Sequence, residues 1–229
     1  MRAGIDAIAF DIDGTLYSNW SFYRRLGPFL LGHARFLAGF GYARDAVRAW
    51  QRANPGVPHA DFLGWQAGLL GERLGIPGDV ARAMLDRLVY EGWKPLFARV
   101  KPYPHADECF RRCRESGLKI GILSDFLPSQ KGDIWGLAGL ADVVLGSEET
   151  GALKPSPVPF MALAERLGVK PERLLYVGNS VRSDVEGASA CGMKTACIIN
   201  PLARILGLTA PGADISFSSY RQLTRIVLE

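Results

Sequence analysis

Residues 8–17 read I-A-F-D-I-D-G-T-L-Y. An apolar run leads into two aspartates, Asp11 and Asp13, which stand one residue apart, and a glycine and a threonine follow directly. Like charges at such short range raise each other's pKa unless a cation or a proton lies between them. The stretch therefore predicts a buried strand that ends in a site for a divalent metal and for carboxylate chemistry.

Other short apolar runs predict that this strand belongs to a parallel sheet. The runs are continuous rather than alternating, as expected for strands whose two faces are both covered by helices. They lie at 7–12, 118–124, 142–146, 173–178 and 194–199, with a weaker one at 214–217. Helical patterns separate them at 105–116, 130–140, 157–167 and 181–191. This alternation predicts an α/β fold with a doubly wound parallel sheet.

Residues 18–100 interrupt the alternation, because they show no convincing strand pattern. Apolar residues recur at helical spacing over about 20–40, 43–53, 59–74 and 78–90. Turn signals at N-P-G and I-P-G separate these segments, and K-P-Y-P at 101–104 is a rigid extended connector. We therefore expect two units. Residues 1–17 and 101–229 form a core, and residues 18–100 form a helical insertion.

The composition is that of an ordinary globular protein, since 48% of the 229 residues are apolar and 22% are charged. The four cysteines match no zinc-binding spacing, which favours reduced thiols in a cytoplasmic protein. The N-terminal stretch has no secretory pattern, and Pro28, His33 and Arg35 interrupt the apolar residues 26–43. We expect no membrane partner, since a span needs about 18 or more uncharged apolar residues.

The positive charge of the chain is concentrated in residues 18–100. That segment contains 11 Lys/Arg and 6 Asp/Glu, a net charge of +5, whereas the whole chain has a net charge of +4. Six of its arginines are spaced as on helices, and we expect many of them to solvate helix faces; they are Arg24, Arg25, Arg35, Arg44, Arg48 and Arg52. The dense basic run with interleaved aromatic residues that is typical of nucleic-acid binding is missing. A cationic segment next to an anionic metal site favours a phosphorylated substrate instead.

Four polar clusters fall where predicted strands end, at the edge where open parallel sheets bind ligands. Together they offer carboxylate, hydroxyl, ammonium and amide groups. They are Asp11 and Asp13 in D-I-D-G-T, Ser124 and Asp125 after G-I-L, Lys154 in G-A-L-K-P-S-P, and Asn179 and Asp184 in G-N-S-V-R-S-D. The second cluster suits an oxyanion, through a hydroxyl and free backbone N–H groups. The fourth offers two oxygen ligands for a metal.

In chain order these clusters form the pattern D-x-D-G-T, then S-D after an apolar run, then K-P, then G-[DN]-S-x-x-x-D. The pattern resembles that of the haloacid dehalogenase superfamily of phosphohydrolases, and the resemblance extends over the whole chain. Residues 101–229 are similar to the family's Rossmann-like core, and residues 18–100 match its helical cap in position and character. Only 28 residues separate Asp125 from Lys154, which leaves no room for the α/β cap that other members insert there.

The resemblance implies that Asp11 is the nucleophile and forms an aspartyl-phosphate. It implies that Asp13 is the general acid for the leaving alcohol and later the base for the attacking water. Ser124, the backbone N–H of Asp125, and Lys154 would bind the transferring phosphoryl oxygens. Lys154 would also lower the pKa of Asp11, so that this carboxylate stays ionised.

The same resemblance implies a Mg²⁺ cofactor. The ion would be held by the Asp11 carboxylate, the backbone carbonyl of Asp13 and Asp184, with waters completing the octahedron. Asn179 stands where many members of the family have a metal-binding aspartate. Its amide oxygen can ligate Mg²⁺ or order a water but brings no charge. We therefore expect weaker metal affinity and a greater dependence on Asp184.

The expected activity is hydrolysis of a small organic phosphate monoester. A phosphomutase of the β-phosphoglucomutase type and a weakly active member that binds a phosphate ligand stay as alternatives. Asp13 disfavours a dehalogenase, because the resemblance implies a tyrosine at the corresponding position of that branch of the family. The lack of lysine in residues 18–93 disfavours a phosphonatase. The apolar cap could also pair with a second copy, which would make a homodimer.

Overall fold

The computed structural model describes residues 4–229, and within them a six-stranded parallel sheet forms the core. Its strands are β1 (Ala7–Phe10), β2 (Lys119–Ser124), β3 (Val143–Gly146), β4 (Leu174–Gly178), β5 (Lys194–Ile198) and β6 (Ile215–Phe217). All six predicted strands are confirmed, and so is the α/β, doubly wound, Rossmann-like class. Residues 1–3 of the predicted core lie outside the described residues.

The strand order β3-β2-β1-β4-β5-β6 places β1 near the centre of the sheet. Phe10 of β1 lies level with Ile122 of β2 on one side and with Val177 of β4 on the other. The residues that follow these three strands therefore meet at one edge. The strand order reverses between β1 and β4, and ligands of open α/β sheets bind in the crevice at such a reversal.

Ten α-helices accompany the sheet within residues 4–229, together with shorter 3₁₀ and π turns. They are α1 (Asn19–Ala53), α2 (Phe62–Leu74), α3 (Gly78–Leu85), α4 (Lys94–Ala98), α5 (Ala106–Glu115), α6 (Pro128–Lys131), α7 (Pro157–Leu167), α8 (Glu186–Ala190), α9 (Pro201–Ile205) and α10 (Tyr220–Leu228). No described helix is both long enough and apolar enough to cross a membrane.

The side chains of β1 alternate between two helical layers, as expected for a strand buried on both faces. Phe10 belongs to the larger apolar cluster and stacks on Phe110 of α5 with ring centroids 4.3 Å apart. Tyr220 of α10 packs in the same cluster. Ala9 points to the opposite face, which Phe160 of α7 covers. Helices on both faces thus leave the carboxyl edge of the sheet as the open side.

The insertion between β1 and β2 is helical, as predicted, and contains α1 to α4. The segments predicted at 20–40 and 43–53 form one helix, α1, which is kinked at His33 (φ −134°, ψ 21°). His33 Nδ1 lies 3.1 Å from the carbonyl of Phe29, so a side chain enters the backbone ladder there. The boundaries of the two predicted units, at 17–18 and 100–101, stay a prediction.

The helix predicted over 130–140 is wrong for most of its length. Only its first two residues lie in α6, and a short 3₁₀ turn covers Ala138–Leu140. Between them Ile134 and Trp135 have φ values of 52° and 56°, which a right-handed helix excludes. Trp135 Nε1 donates to the Val100 carbonyl at 2.7 Å. A tertiary contact therefore holds a backbone that the apolar spacing alone did not reveal.

Three other helical regions also differ from the sequence expectation. The helix predicted over 181–191 begins as a π turn, Val181–Val185, and continues as α8. The helices α9 and α10 had no prediction, although a capping side chain marks each start. Asn200 Oδ1 accepts from the backbone N–H of Leu202 at 2.8 Å, and Ser219 caps α10.

Candidate active site

The turn after β1 presents Asp11 at the open edge of the sheet. The backbone N–H of Asp11 donates to the Val177 carbonyl at 2.9 Å, which continues the ladder by one residue. Thr15 Oγ1 donates to Asp11 Oδ2 at 2.7 Å. Gly14 turns the chain with a φ of 86°, and a Cβ there would lie 2.4 Å from Asn179 Nδ2. Glycine is therefore required at this position for both backbone and packing reasons.

The ammonium group of Lys154 lies between two buried carboxylates. Lys154 Nζ donates to Asp11 Oδ1 at 2.7 Å, to Asp184 Oδ1 at 2.7 Å and to the Tyr176 hydroxyl at 3.1 Å. The three charged side chains are 6% exposed or less, so water hardly screens them. Burial alone would lower the pKa of Lys154, but the two carboxylates outweigh burial and keep the lysine charged.

The pKa of Asp11 differs from the sequence expectation. Burial raises it to about 7 although Lys154 opposes the rise, and the charges of Asp184 and Asp13 add to it. Lys154 does lower the pKa of Asp11, as expected, but burial outweighs the lysine, so the expected net lowering does not occur. Desolvation is the larger effect, and the lysine divides its charge between two carboxylates. The protein's own cation thus leaves part of the negative charge of the site unbalanced.

The turn after β4 brings Asp184 and Asn179 to the same place. Asp184 Oδ2 accepts from the backbone N–H groups of Asn179 at 3.1 Å and Ser180 at 3.0 Å. Asn179 Oδ1 lies 3.2 Å from Thr15 Oγ1 and can share the proton that this hydroxyl donates to Asp11, so the contact ties this turn to the one after β1. Gly178 lies against Asp184, where a Cβ would stand 2.3 Å from the Asp184 Cβ. The first, third and fourth clusters therefore form one site.

The side chains of Ser124 and Asp125, at the end of β2, are hydrogen-bonded to other residues of the site. Ser124 is 1% exposed, and its Oγ donates to Asp13 Oδ2 at 3.3 Å. Asp125 Oδ1 accepts from the backbone N–H of Lys154 at 3.1 Å, and Oδ2 accepts from Arg48 at 2.8 Å. Burial alone would raise the pKa of Asp125, but the surrounding cations outweigh it and hold that pKa below its ordinary value. The Asp125 side chain is therefore an ionised anchor.

Two arginines of α1, one helical turn apart, reach this edge of the sheet. Arg44 is 7% exposed, and its Nη1 donates to Glu148 Oε1 at 2.7 Å. Arg48 Nη2 donates to Asp125, and its Nε donates to the Lys154 carbonyl at 3.2 Å. These two are exceptions to the expectation that the arginines of this segment solvate helix faces. The one sequence signal for them is their spacing on the same face of a helix.

Asp13 contacts a second lysine, which lies in none of the sequence motifs. Lys131 Nζ donates to Asp13 Oδ1 at 2.6 Å, and the Tyr17 hydroxyl donates to the same oxygen at 2.5 Å. The side chain of Lys131 is 2% exposed. Lys131 stands in a segment predicted as an ordinary helix, so nothing local marks it as part of the site.

A cavity of ≈ 290 Å³ opens between the sheet edge and α1. Its lining is largely polar and charged. It contains Asp11, Asp13, Asn19, Tyr23, Arg44, Arg48, Asp125, Phe126, Lys154, Asn179, Ser180, Ser183 and Asp184. Every predicted site residue except Ser124 lines this cavity. Ser124 does not line it but contacts Asp13, which does.

The donor atoms at this site fit Mg²⁺ by their chemistry. They are oxygens only, from the carboxylates of Asp11 and Asp184 and the amide of Asn179, which all line the cavity, and Mg²⁺ prefers such hard ligands. Across residues 4–229 no group of three His, Cys, Asp or Glu side chains is placed to hold a metal ion. Mg²⁺ sites of proteins commonly use one or two carboxylates, with waters or a substrate phosphate as the other ligands.

Comparison with known proteins agrees with this geometry. The family model of haloacid dehalogenase-like hydrolases matches residues 5–192. A glyceraldehyde 3-phosphate phosphatase of Methanopyrus kandleri is 38% identical over 204 residues, which cover 83% of this chain and 82% of that protein. A phosphoglycolate phosphatase of Aquifex aeolicus is 29% identical over 135 residues, 52% of this chain and 63% of that protein. An L-2-haloacid dehalogenase structure from Xanthobacter autotrophicus, 21% identical, has the same fold, with a TM-score of 0.65 over 97% of this chain and 98% of that chain.

Proposed function

We propose that this chain cleaves a small organic phosphate monoester through an aspartyl-phosphate. The chain belongs to the haloacid dehalogenase-like hydrolases and is a phosphatase of that family. The observation that supports the proposal most is the placement of Lys154. Its ammonium group contacts both Asp11 and Asp184 at the edge of a cavity that Arg44 and Arg48 also line. A cavity with a buried carboxylate nucleophile and several fixed cations suits a phosphoryl group.

In the first step a carboxylate oxygen of Asp11 attacks phosphorus. A bond forms between that oxygen and phosphorus, and the bond from phosphorus to the ester oxygen breaks. Asp13 gives its proton to the departing alkoxide, which leaves as an alcohol. General acid catalysis of this kind contributes roughly 10²–10⁴-fold.

In the second step Asp13, now a carboxylate, takes a proton from a water molecule that attacks the phosphorus of the aspartyl-phosphate. The bond between phosphorus and the Asp11 oxygen breaks, inorganic phosphate leaves, and the Asp11 carboxylate is restored. Asp13 ends the cycle protonated, as it began. Two easier displacements thus replace one difficult hydrolysis.

Fixed charges and dipoles support both steps. Lys154 places a positive charge next to the attacking oxygen, and the backbone N–H of Asp125 would complete the proposed phosphoryl site. The Ser124 hydroxyl, which donates to Asp13 Oδ2, would join it by turning toward a bound phosphoryl group. In phosphoryl transfer such positioning and electrostatic stabilisation supply most of the catalysis. Mg²⁺, held by Asp11, Asp184, the Asp13 carbonyl and Asn179, would neutralise charge on the phosphoryl oxygens.

Residues 18–100 act in this proposal as a cap over the site. Arg44 and Arg48 of α1 contact Asp125 and Glu148 of the core, so the insertion and the sheet edge already meet across the cavity. Hinges near 17–20 and 99–104 would let the insertion open for substrate and close against bulk water. A cytoplasmic location and a homodimer through the apolar cap stay predictions.

A second candidate is a weakly active member that binds a phosphate ligand. The observation that favours it is Asn179, which lines the cavity with an uncharged amide where a third carboxylate would strengthen metal binding. Hydrolysis of p-nitrophenyl phosphate, measured with Mg²⁺ and with EDTA, separates the two candidates. We expect Mg²⁺-dependent release of p-nitrophenol by the wild type and none by Asp11→Asn, which keeps the shape of the side chain. Ligand binding without metal-dependent release would favour the second candidate.

A further inference from the structure

The side chain of Asp13 is held by three donors that come from three different elements. Lys131 at the end of α6 and Tyr17 beyond the turn after β1 both donate to Oδ1, at 2.6 Å and 2.5 Å. Ser124 at the end of β2 donates to Oδ2 at 3.3 Å. The two shorter contacts engage Oδ1, which leaves Oδ2 as the oxygen that can exchange a proton with a bound ester.

The surroundings of Lys131 show why this arrangement is rigid. Its Nζ lies 3.6 Å from the centroid of the Phe97 ring and 5.1 Å from that of Phe126. Within the described part of the chain, its one salt bridge is to Asp13. A buried ammonium group without a carboxylate partner would be very unfavourable. The contact of Lys131 with the Asp13 carboxyl therefore holds both side chains in place.

Neither Lys131 nor Tyr17 lines the cavity of the active site. Lys131 instead lines a separate cavity of ≈ 270 Å³, together with Phe97 and Trp135. Tyr17 is 1% exposed, and its ring packs edge-on against Trp135. A phosphate ester in the active-site cavity therefore contacts neither group, and any effect of theirs on the reaction passes through Asp13.

We propose that Lys131 and Tyr17 are positioning residues that fix the Asp13 carboxyl for proton transfer to the leaving group and from the attacking water. The inference rests on the proposed function, in which Asp13 is the general acid and base. A general acid must lie within hydrogen-bond reach of the atom it protonates, and small displacements of a catalytic group cost large factors in rate. Removal of either donor frees the Asp13 side chain to rotate away from that position.

The test uses the full chain and two esters that differ in how much their leaving group needs a proton. p-Nitrophenyl phosphate releases a stable phenolate, whereas glycerol phosphate releases an alcohol that must be protonated. With glycerol phosphate we expect Lys131→Met to lower kcat by about 10-fold or more, within the range that general acid catalysis supplies. With p-nitrophenyl phosphate the loss should be several-fold smaller, and KM should change by less than about 2-fold. Lys131→Arg, which keeps the charge, should restore part of the rate.

Two further variants keep the test decisive. Tyr17→Phe removes one hydroxyl and leaves the ring packing intact, so it is informative even where Lys131→Met fails to fold. In an Asp13→Asn background, the Lys131→Met and Tyr17→Phe changes should cost nothing further. Equal losses with both esters, or losses that add to that of Asp13→Asn, would show a merely structural role and overturn the inference. Wild-type protein that hydrolyses neither ester would remove the proposed function itself, and this inference with it.

Discussion

Replacement of Arg44 by methionine should destabilise the fold strongly, because it leaves a buried carboxylate without its partner. The Glu148 side chain is 0% exposed, and its Oε1 lies 2.7 Å from Arg44 Nη1. The guanidinium group also lies 3.3 Å from Asp125 Oδ2 and 4.5 Å from the centroid of the Phe126 ring. Removal of one partner of a buried ion pair costs about 3–5 kcal/mol of the free energy of unfolding.

Thermal unfolding measures this loss directly. In a chain of this size each kcal/mol lowers Tm by about 2–4 °C, so Arg44→Met should lower Tm by roughly 6–20 °C. Arg82→Met is the matched control, since its salt bridge to Asp86 joins side chains that are 37% and 48% exposed. An exposed pair of this kind is worth about 0–1 kcal/mol, so the control should lose less than about 4 °C.

A second substitution tests the cause of the loss. Glu148→Gln removes the charge that Arg44→Met leaves unpaired, so the double variant should be more stable than Arg44→Met alone. Losses that simply add in the double variant would show that an unpaired Glu148 carboxylate is not the cause of the instability. A Tm for Arg44→Met equal to that of the Arg82→Met control would refute the expected loss itself.

The deficit of Arg44→Met should also depend on pH. Burial raises the pKa of Glu148 above its ordinary value, and Arg44 opposes that rise. Without Arg44 the pKa of Glu148 in the folded state rises further. As pH increases, the Glu148 carboxyl therefore loses its proton in the unfolded chain before it does so in the folded chain. The free energy of unfolding therefore falls as pH increases from the unfolded pKa of about 4.3 to the folded value. The variant should recover stability at acid pH, and a deficit that stays constant between about pH 5 and 8 would contradict this.

Three further substitutions test the turn, the metal ligands and the amide at the site. Gly14→Ala should abolish phosphatase activity, because the new Cβ would collide with the Asn179 side chain. Gly56→Ala is the control, since Gly56 also has a positive φ of 74° but no atom within 4 Å of a new Cβ. It should keep its activity and lose only about 1 kcal/mol of the free energy of unfolding. Equal activities of the two variants would contradict this. Asp184→Ala should abolish turnover at every Mg²⁺ concentration in a metal titration, and near-normal rates would refute its place among the ligands. Asn179→Asp should lower the Mg²⁺ concentration for half-maximal activity, since it adds a carboxylate, and an unshifted curve would argue against that position.

The sheet and most of the site could be predicted because both leave local signals in the sequence. Buried parallel strands are short continuous apolar runs, and the polar residue that follows each run lies at the same edge of the sheet. Asp11, Lys154 and Asp184 are far apart in the chain, but the parallel topology leaves them no other place to meet. The types of these residues and their positions after the predicted strands were therefore enough to predict that they form one site.

Contacts that depend on one side chain reaching another element could not be predicted in this way. Arg44 looks like any arginine on a helix until Glu148 is found buried beside it. Lys131 is the last residue of the short helix α6, and the residues after it take a shape that their apolar spacing does not indicate, with Trp135 bound to Val100. The pKa of Asp11 depends on how deeply the carboxylate is buried, which a motif does not specify.

In the proposed reaction the carboxylate of Asp11 becomes phosphorylated during turnover. The direct measurement is an acid quench of enzyme turning over a ³²P-labelled phosphate monoester, followed by mapping of the labelled peptide. We predict label on Asp11 in the wild type and none in Asp11→Asn. Enzyme that hydrolyses the ester while Asp11 never acquires label would rule out Asp11 as the nucleophile.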